Sequence, residues 1–375
     1  MQALHIFMLV IAFFLFVDAL PHAKPKIHTI PLKKRLINSR RLGRRATQNV
    51  KVQQQQPDIA YFGEISFGDE ESAQKFDIQF DTGSADLFVI SIDCNSPACE
   101  QKLKYDQNKD KDFKPLEKNF KANYDRGSAS GVSGTTTIEI DGGFLVDDQE
   151  FGLVNNLSDD FGRDEYDGIM GMALSSASEN NQITPITKLI NSNLLSAPQF
   201  SFMLGRNADN KESELTIGGS NPARYDVNSV TWSDLVDNNR GHWLIPLDDC
   251  IVNNQELGFQ NRNGNIDTGT TLIIVPLADA RAIYGKMQDV MERDNGHFYL
   301  PCESQNVVGL KFKGVTWNID IRDLLIKDGD ECYGAIIGDD DTGSDTEWVI
   351  GDTFLKNVYS IFDQGKLQVG FGKLL

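Results

Sequence analysis

Two stretches of this chain follow one grammar, and they constrain it more than any other feature. "IQFDTGSADLFVI" (78–90) and "GNIDTGTTLIIVP" (264–276) each run from an apolar residue into Asp-Thr-Gly, then a hydroxyl residue, then an apolar run. Each is answered downstream by two apolar residues and a glycine: Ile169-Met170-Gly171 in "YDGIMGMA" and Val349-Ile350-Gly351 in "WVIGDTFL". The offsets from Asp to Gly are 90 residues in the first half and 84 in the second. A repeat of this kind predicts two similar lobes, each contributing one Asp to a shared cleft. A third Asp-Thr-Gly, at Asp341, lies in "GDDDTGSDTE" among four further acids, with no apolar run touching it. It is read as a solvated loop and given no catalytic role.

The remaining body is mostly β in pattern. "YFGEISFG", "KFDIQF", "TTTIEI" and "SELTIGG" alternate or cluster apolar residues between Gly, Asp and Asn, which is strand grammar. Helix is expected only around 184–195 and 277–292. The fold class expected is mostly β and bilobal.

Two such turns facing each other would hold a buried pair of carboxylates. Both cannot ionise cheaply at close range in a low dielectric, so they share one proton and titrate as a unit. One member then takes a proton from water while the other donates to a carbonyl oxygen, which is what water-mediated amide hydrolysis needs. The candidate catalytic pair is Asp81 and Asp267. Gly83 and Gly269 allow a tight turn and let backbone N–H groups approach the carboxylates. Ser84 and Thr270 offer hydroxyls to the outer carboxylate oxygens. Thr82 and Thr268 are placed to hydrogen-bond across the lobe interface. Other chemistries fit poorly: there is no His-Glu-x-x-His zinc motif, and His242 and His297, the only histidines after residue 46, lack a nucleophile-elbow context. No metal and no cofactor are expected.

The amino end differs from the body. "FMLVIAFFLFV" (7–17) is an apolar run of 11 residues, too short for a membrane helix of roughly 20 and suited to a signal peptide over 1–19. Residues 20–45 carry nine Lys or Arg and no acid, ending in "SRRLGRR". The remainder holds 27 basic and 53 acidic residues, a formal charge of −26. A basic arm before an acidic body points to an intramolecular partner rather than to nucleic acid, and the Arg pairs mark it as a removable pro-segment. The expected lobes are then 46–235 and 236–375.

All five cysteines follow residue 90, and behind a signal peptide they meet oxidising conditions. Cys94 and Cys99 bracket a short loop, Cys302 and Cys332 a longer one, and Cys250 is left over; the residues alone leave the pairing open. Asn156 in "NLS" is the sole N-x-S/T acceptor for glycosylation.

From residue 58 to the end the chain resembles the pepsin family of aspartic endopeptidases. "YFGEISFG", "FDTGSADLFV", "YDGIMGMA", "IDTGTTLIIVP", "WVIGDTFLKNVYSIFD" and "VGFGKLL" match in order and spacing. "IDTGTTL" and "IGDTFLKN" look especially like the fungal, rhizopuspepsin-like branch. The resemblance implies two β-rich lobes, an interlobe cleft, a flap hairpin, a basic pro-segment acting as an inhibitor (which "HTIPLKKRL" fits), and the bridges Cys94–Cys99 and Cys302–Cys332. It implies a monomer cutting proteins or peptides at acidic pH, secreted or in a vacuolar or other acidic compartment; a membrane anchor is not expected, since "GFGKLL" carries no apolar tail. The family's flap Tyr corresponds to Tyr124 in "NYDRGSASG". Here Asp125 replaces the first Gly of the usual Tyr-Gly-x-Gly and Arg126 follows. Phe88 stands where many members have Trp, and Asp86 where many have Asn. These departures bear on subsite preference and flap rigidity. A catalytically silent pepsin-like binding protein is the alternative class; loss of either Asp would mark it, and both are present.

Overall fold

In the computed structural model, residues 26–34 and 60–375 are described, apart from 142, 237–238, 294–295 and 341–343. The proposed signal peptide, most of the proposed pro-segment and the third Asp-Thr-Gly lie outside the described residues.

The repeated grammar has a structural meaning. The strand Gln74–Asp81 delivers the first Asp, and Leu87–Ile90 leads away from it, every residue buried. These two strands do not pair with each other. The later strand Gly168–Gly171 lies between them, parallel to the first (Phe80 opposite Met170) and antiparallel to the second (Leu87 opposite Met170). The second half repeats this arrangement. Glu347–Ile350 runs parallel to Arg262–Ile266 (Ile266 opposite Ile350) and antiparallel to Ile273–Val275 (Ile273 opposite Ile350). A strand buried between two neighbours and under a core has no solvent face, which explains the continuous apolar runs. The closing glycines are steric: a β-carbon on Gly171 would collide with the Ala85 backbone, and one on Gly351 with the Thr270 and Leu272 carbonyls.

Among the described residues four sheets carry the fold, the largest of 13 strands. Strands from the two halves meet in it, since Tyr359–Asp363 pairs with Gln199–Met203 and with Gln368–Leu374. Beneath this junction Phe200 stacks on Phe362 at 4.9 Å and both pack against buried Trp243. The fold is the mostly-β, bilobal arrangement expected. Within the described part of the basic segment, His28–Lys34 is itself a strand. It lies between Ser213–Ile217 and Tyr61–Phe67, with Ile30 and Leu32 buried in the main core.

The helices are shorter than the sequence pattern suggests. Pro185–Asn191 is capped by Thr184, whose hydroxyl accepts from the Thr187 N–H at 3.2 Å; it stops before Asn193, which has a left-handed backbone (φ 53°). Leu277–Tyr284 ends at Gly285, and Met291–Arg293, expected to be helical, is a strand paired with His297–Leu300. Tertiary pairing overrides a helix preference worth only tenths of a kcal/mol per residue. Among the described residues no helix is long and apolar enough to cross a membrane.

Candidate active site

Asp81 is the last residue of its strand and Asp267 follows directly on Arg262–Ile266. Both are nearly inaccessible, 5% and 8% exposed, and their carboxyl groups lie within hydrogen-bond reach of each other. Each carboxylate is held in the same way. The Gly83 N–H donates to Asp81 Oδ1 at 2.8 Å and the Ser84 hydroxyl to Oδ2 at 2.5 Å. The Gly269 N–H donates to Asp267 Oδ1 at 2.7 Å and the Thr270 hydroxyl to Oδ2 at 2.7 Å. The glycines are required by space: a β-carbon on Gly83 would stand 2.5 Å from Asp267 Cγ, and one on Gly269 would overlap the Asp81 carboxylate.

The two turns are locked together by the threonines between Asp and Gly. The Thr82 N–H donates to Thr268 Oγ1 at 3.1 Å and the Thr268 N–H to Thr82 Oγ1 at 3.0 Å. The hydroxyls then donate onward, Thr82 to the Ile266 carbonyl and Thr268 to the Phe80 carbonyl, each at 2.7 Å. All four bonds cross between the halves and are buried, so they fix the separation of the carboxylates. Burial, and next the charge of Asp267, push the Asp81 carboxyl well above the usual carboxylate range, against the opposing effect of its Ser84 and Gly83 donors.

Above the pair, Lys114–Tyr124 and Gly127–Ile140 form a hairpin with Asp125 and Arg126 at its two-residue tip. The left-handed backbone needed to turn the chain is taken by Gly127 (φ 136°), leaving the tip residues unstrained. The Tyr124 ring packs on Phe161 at 5.6 Å and on Phe88 at 6.3 Å. Its hydroxyl, buried beside Ser84, makes no hydrogen bond of ordinary geometry. Crowding by the cleft, and then the charges of Asp267 and Asp339, raise the Asp125 carboxyl. Arg126 turns away, to Asp164. Asp86, buried below, accepts from the Ser178 hydroxyl and the Glu179 N–H.

One neighbour was not assigned to the site from sequence. His242 approaches the Gly83 backbone and feels the charge of Asp267, while burial and Arg240 hold its imidazole below the usual range. Its only signal was its rarity, as one of two histidines after residue 46. Cys94–Cys99 and Cys302–Cys332 are disulfides, and Cys250 is a buried free thiol whose ionisation burial disfavours. Asn156 is exposed on the strand Phe144–Leu157, its amide oxygen accepting from Ser96.

Comparison with known proteins establishes the family. The family model for eukaryotic aspartyl proteases matches residues 60–374. An aspartic-type endopeptidase ctsD of Aspergillus fumigatus is 32% identical over 317 residues, covering 84% of this chain and 65% of that protein. An aspartic protease of Phaffia rhodozyma is 31% identical, covering 91% of this chain and 83% of that protein. Gastricsin of Rattus norvegicus is 29% identical, covering 84% and 80%. The chain therefore belongs to the eukaryotic aspartyl proteases, the pepsin family of aspartic-type endopeptidases. Fungal and mammalian relatives stand at nearly equal identity, so no branch within the family is singled out.

Proposed function

We propose that the chain is an acid endopeptidase made as a zymogen, with Asp81 and Asp267 as its catalytic pair. The observation that carries this reading is the pair of buried carboxylates in hydrogen-bond reach, each with two donors, across a four-bond threonine grip. With one proton between them, the ionised carboxylate takes a proton from a water held between the two. The hydroxide so formed attacks the scissile carbonyl carbon. The protonated carboxyl gives its proton to the carbonyl oxygen, leaving a tetrahedral diol. Collapse of the diol breaks the C–N bond: the protonated carboxyl gives its proton to the amine nitrogen while a diol hydroxyl gives its own to the ionised carboxylate, so the acid and the amine leave and the pair is again singly protonated. Ser84, Thr270, Gly83 and Gly269 hold the carboxylates in line, and Tyr124 caps the site and excludes water.

The reading extends to the rest of the molecule. Residues 1–19 are a signal peptide, 20–45 an inhibitory pro-segment, 46–235 and 236–375 the two lobes, and Asn156 a glycosylation acceptor. The protein works as a secreted or vacuolar monomer, close to the rhizopuspepsin-like branch. Its substrates are proteins or peptides with apolar residues beside the cut bond. The test is incubation of the acid-treated protein with a denatured protein across pH, with and without pepstatin. Cleavage confined to acidic pH and abolished by pepstatin is expected; cleavage that is maximal at neutral pH or resists pepstatin overturns the reading.

A further inference from the structure

We propose that Arg126 is a positioning residue: with Asp164 it forms an ionic latch that fastens the flap tip to its own lobe and sets the flap over the catalytic pair. This rests on the assignment of the Tyr124 hairpin as the flap. Arg126 Nη2 donates to Asp164 Oδ2 at 2.7 Å and approaches the Tyr166 hydroxyl at 3.2 Å, while its guanidinium lies 5.6 Å over the Phe161 ring. The pair is asymmetric. The Arg126 side chain is 58% exposed, whereas that of Asp164 is fully buried. A charge closed off from water needs a partner, whereas an exposed cation does not. The floor under the latch is rigid: the Tyr166 hydroxyl also donates to Asp164 at 2.8 Å, and Lys102 Nζ donates to the carbonyls of Asp164 and Tyr166 at 2.6 and 2.9 Å.

The rest of the tip is fastened to the same segment. The Ser128 N–H donates to the Ser158 hydroxyl at 2.9 Å, and the Ser158 N–H to the Ser128 carbonyl at 3.0 Å. A β-carbon on Gly127 would strike Ser158 and Phe161. The ring that should cap the site has no such anchor. Tyr124 packs its ring on Phe88 and Phe161, and its buried hydroxyl lies beside Ser84 without a hydrogen bond of ordinary geometry. With Phe at position 88 the ring is not tied from below. The tip therefore supplies the directional contact that the ring lacks. Breaking it should leave the hairpin formed but looser, so that substrate must order it on binding.

The experiment compares Arg126→Ala, Arg126→Lys, Asp164→Asn and Tyr124→Ala, each made as the full chain and then acid-treated as the wild type is. Hydrogen exchange of the amides in 119–131 is measured near neutral pH, and kcat and KM on a peptide substrate at about pH 5, where most surface carboxylates remain ionised. Arg126→Ala should speed exchange in the hairpin and raise KM about fivefold, with a smaller effect on kcat. Arg126→Lys, which keeps the charge but not the fork, should recover part of both. Salt at about 1 M should loosen the wild-type hairpin and leave Arg126→Ala nearly unresponsive. Asp164→Asn should behave as Arg126→Ala does, and the double variant should be no worse than either single one. Exchange and KM in Arg126→Ala indistinguishable from wild type overturn the latch while leaving the flap assignment standing. A wild-type kcat/KM in Tyr124→Ala overturns the flap assignment itself.

Discussion

In the proposed mechanism, the proton shared by Asp81 and Asp267 decides what each carboxyl does. Burial and the charge of Asp267 raise Asp81 above its ordinary value of 3.8. The pair thus keeps one proton into a pH range where a solvated Asp is bare, and activity should fall as pH rises through the raised value. Stability has the same sign. The folded state binds that proton more tightly than the unfolded chain, so the contribution is largest at low pH and is lost as pH rises above about 3.8 towards the raised value. Asp81→Asn removes both effects. We expect hydrolysis to drop at least about a thousandfold, with a thermal midpoint that rises relative to wild type at neutral pH and gains less in acid. A midpoint gain equal at both pH values would mean that Asp81 carries no such proton. Asp267→Asn should be equally inactive. Asp341→Asn, in the third Asp-Thr-Gly, should retain near-wild-type turnover; a large loss there would show that the copy is not an idle loop.

At the scale of elements, the two Asp-Thr-Gly turns act as one unit. Thr268→Val removes the acceptor of the Thr82 N–H and the donor to the Phe80 carbonyl, both buried. Leaving such groups unpaired costs about 1–3 kcal/mol. The denaturant midpoint should fall accordingly, and kcat should fall with it because the carboxylate separation is no longer fixed. A stable Thr268→Val protein with normal kcat would show that the grip does not set the geometry. How legible these elements were differs from one to the next. The turns, their glycines and their hydroxyl donors follow from a few adjacent residues, and the structure places them as expected. The helix at 277–292 did not extend so far, because the partner that turns Met291–Arg293 into a strand is His297–Leu300. The hairpin at Tyr124 was visible, but the destination of Arg126 was not, since Asp164 lies 38 positions on.

For the whole molecule, we read the basic leader as the element of control. Its described part is a strand in the main sheet. Lys33 pairs with Asp77 at 2.5 Å, and His28 reaches the Asp141 carbonyl at 3.2 Å. In our reading the remainder of 20–45 is drawn to the acidic body, formal charge −26, and blocks the catalytic pair at neutral pH. Acid weakens that attraction, because Asp and Glu protonate while Lys and Arg stay charged. Acid does not release the buried Ile30 and Leu32, so the strand should leave only after the chain is cut. We expect acidified 20–375 to yield a new amino terminus at or soon after Ala46, read by terminal sequencing. Full activity in acid with the leader attached and uncut would refute the removal step. Ile30→Ala should lower the stability of the uncut chain by about 2–4 kcal/mol and leave the processed chain unchanged, as denaturant titration of each would reveal.

What the residues determined alone is the part governed by local sterics and periodicity. That comprises two Asp-Thr-Gly turns entered and left by buried strands, the answering glycines, the β-rich class and the charge contrast between leader and body. Each is encoded within a few positions, where φ preference, side-chain volume and apolar spacing act directly. The tertiary structure alone decided what depends on groups far apart in the chain. Thr82 and Thr268 meet across 186 positions, and the proton affinity of Asp81 depends on the charge and burial that Asp267 and the surrounding core impose. The depth of His28–Lys34 in the sheet likewise follows from its partner strands at 213–217 and 61–67. Hydrogen-bond partners and dielectric surroundings are properties of space, and only folding brings the distant residues that supply them together.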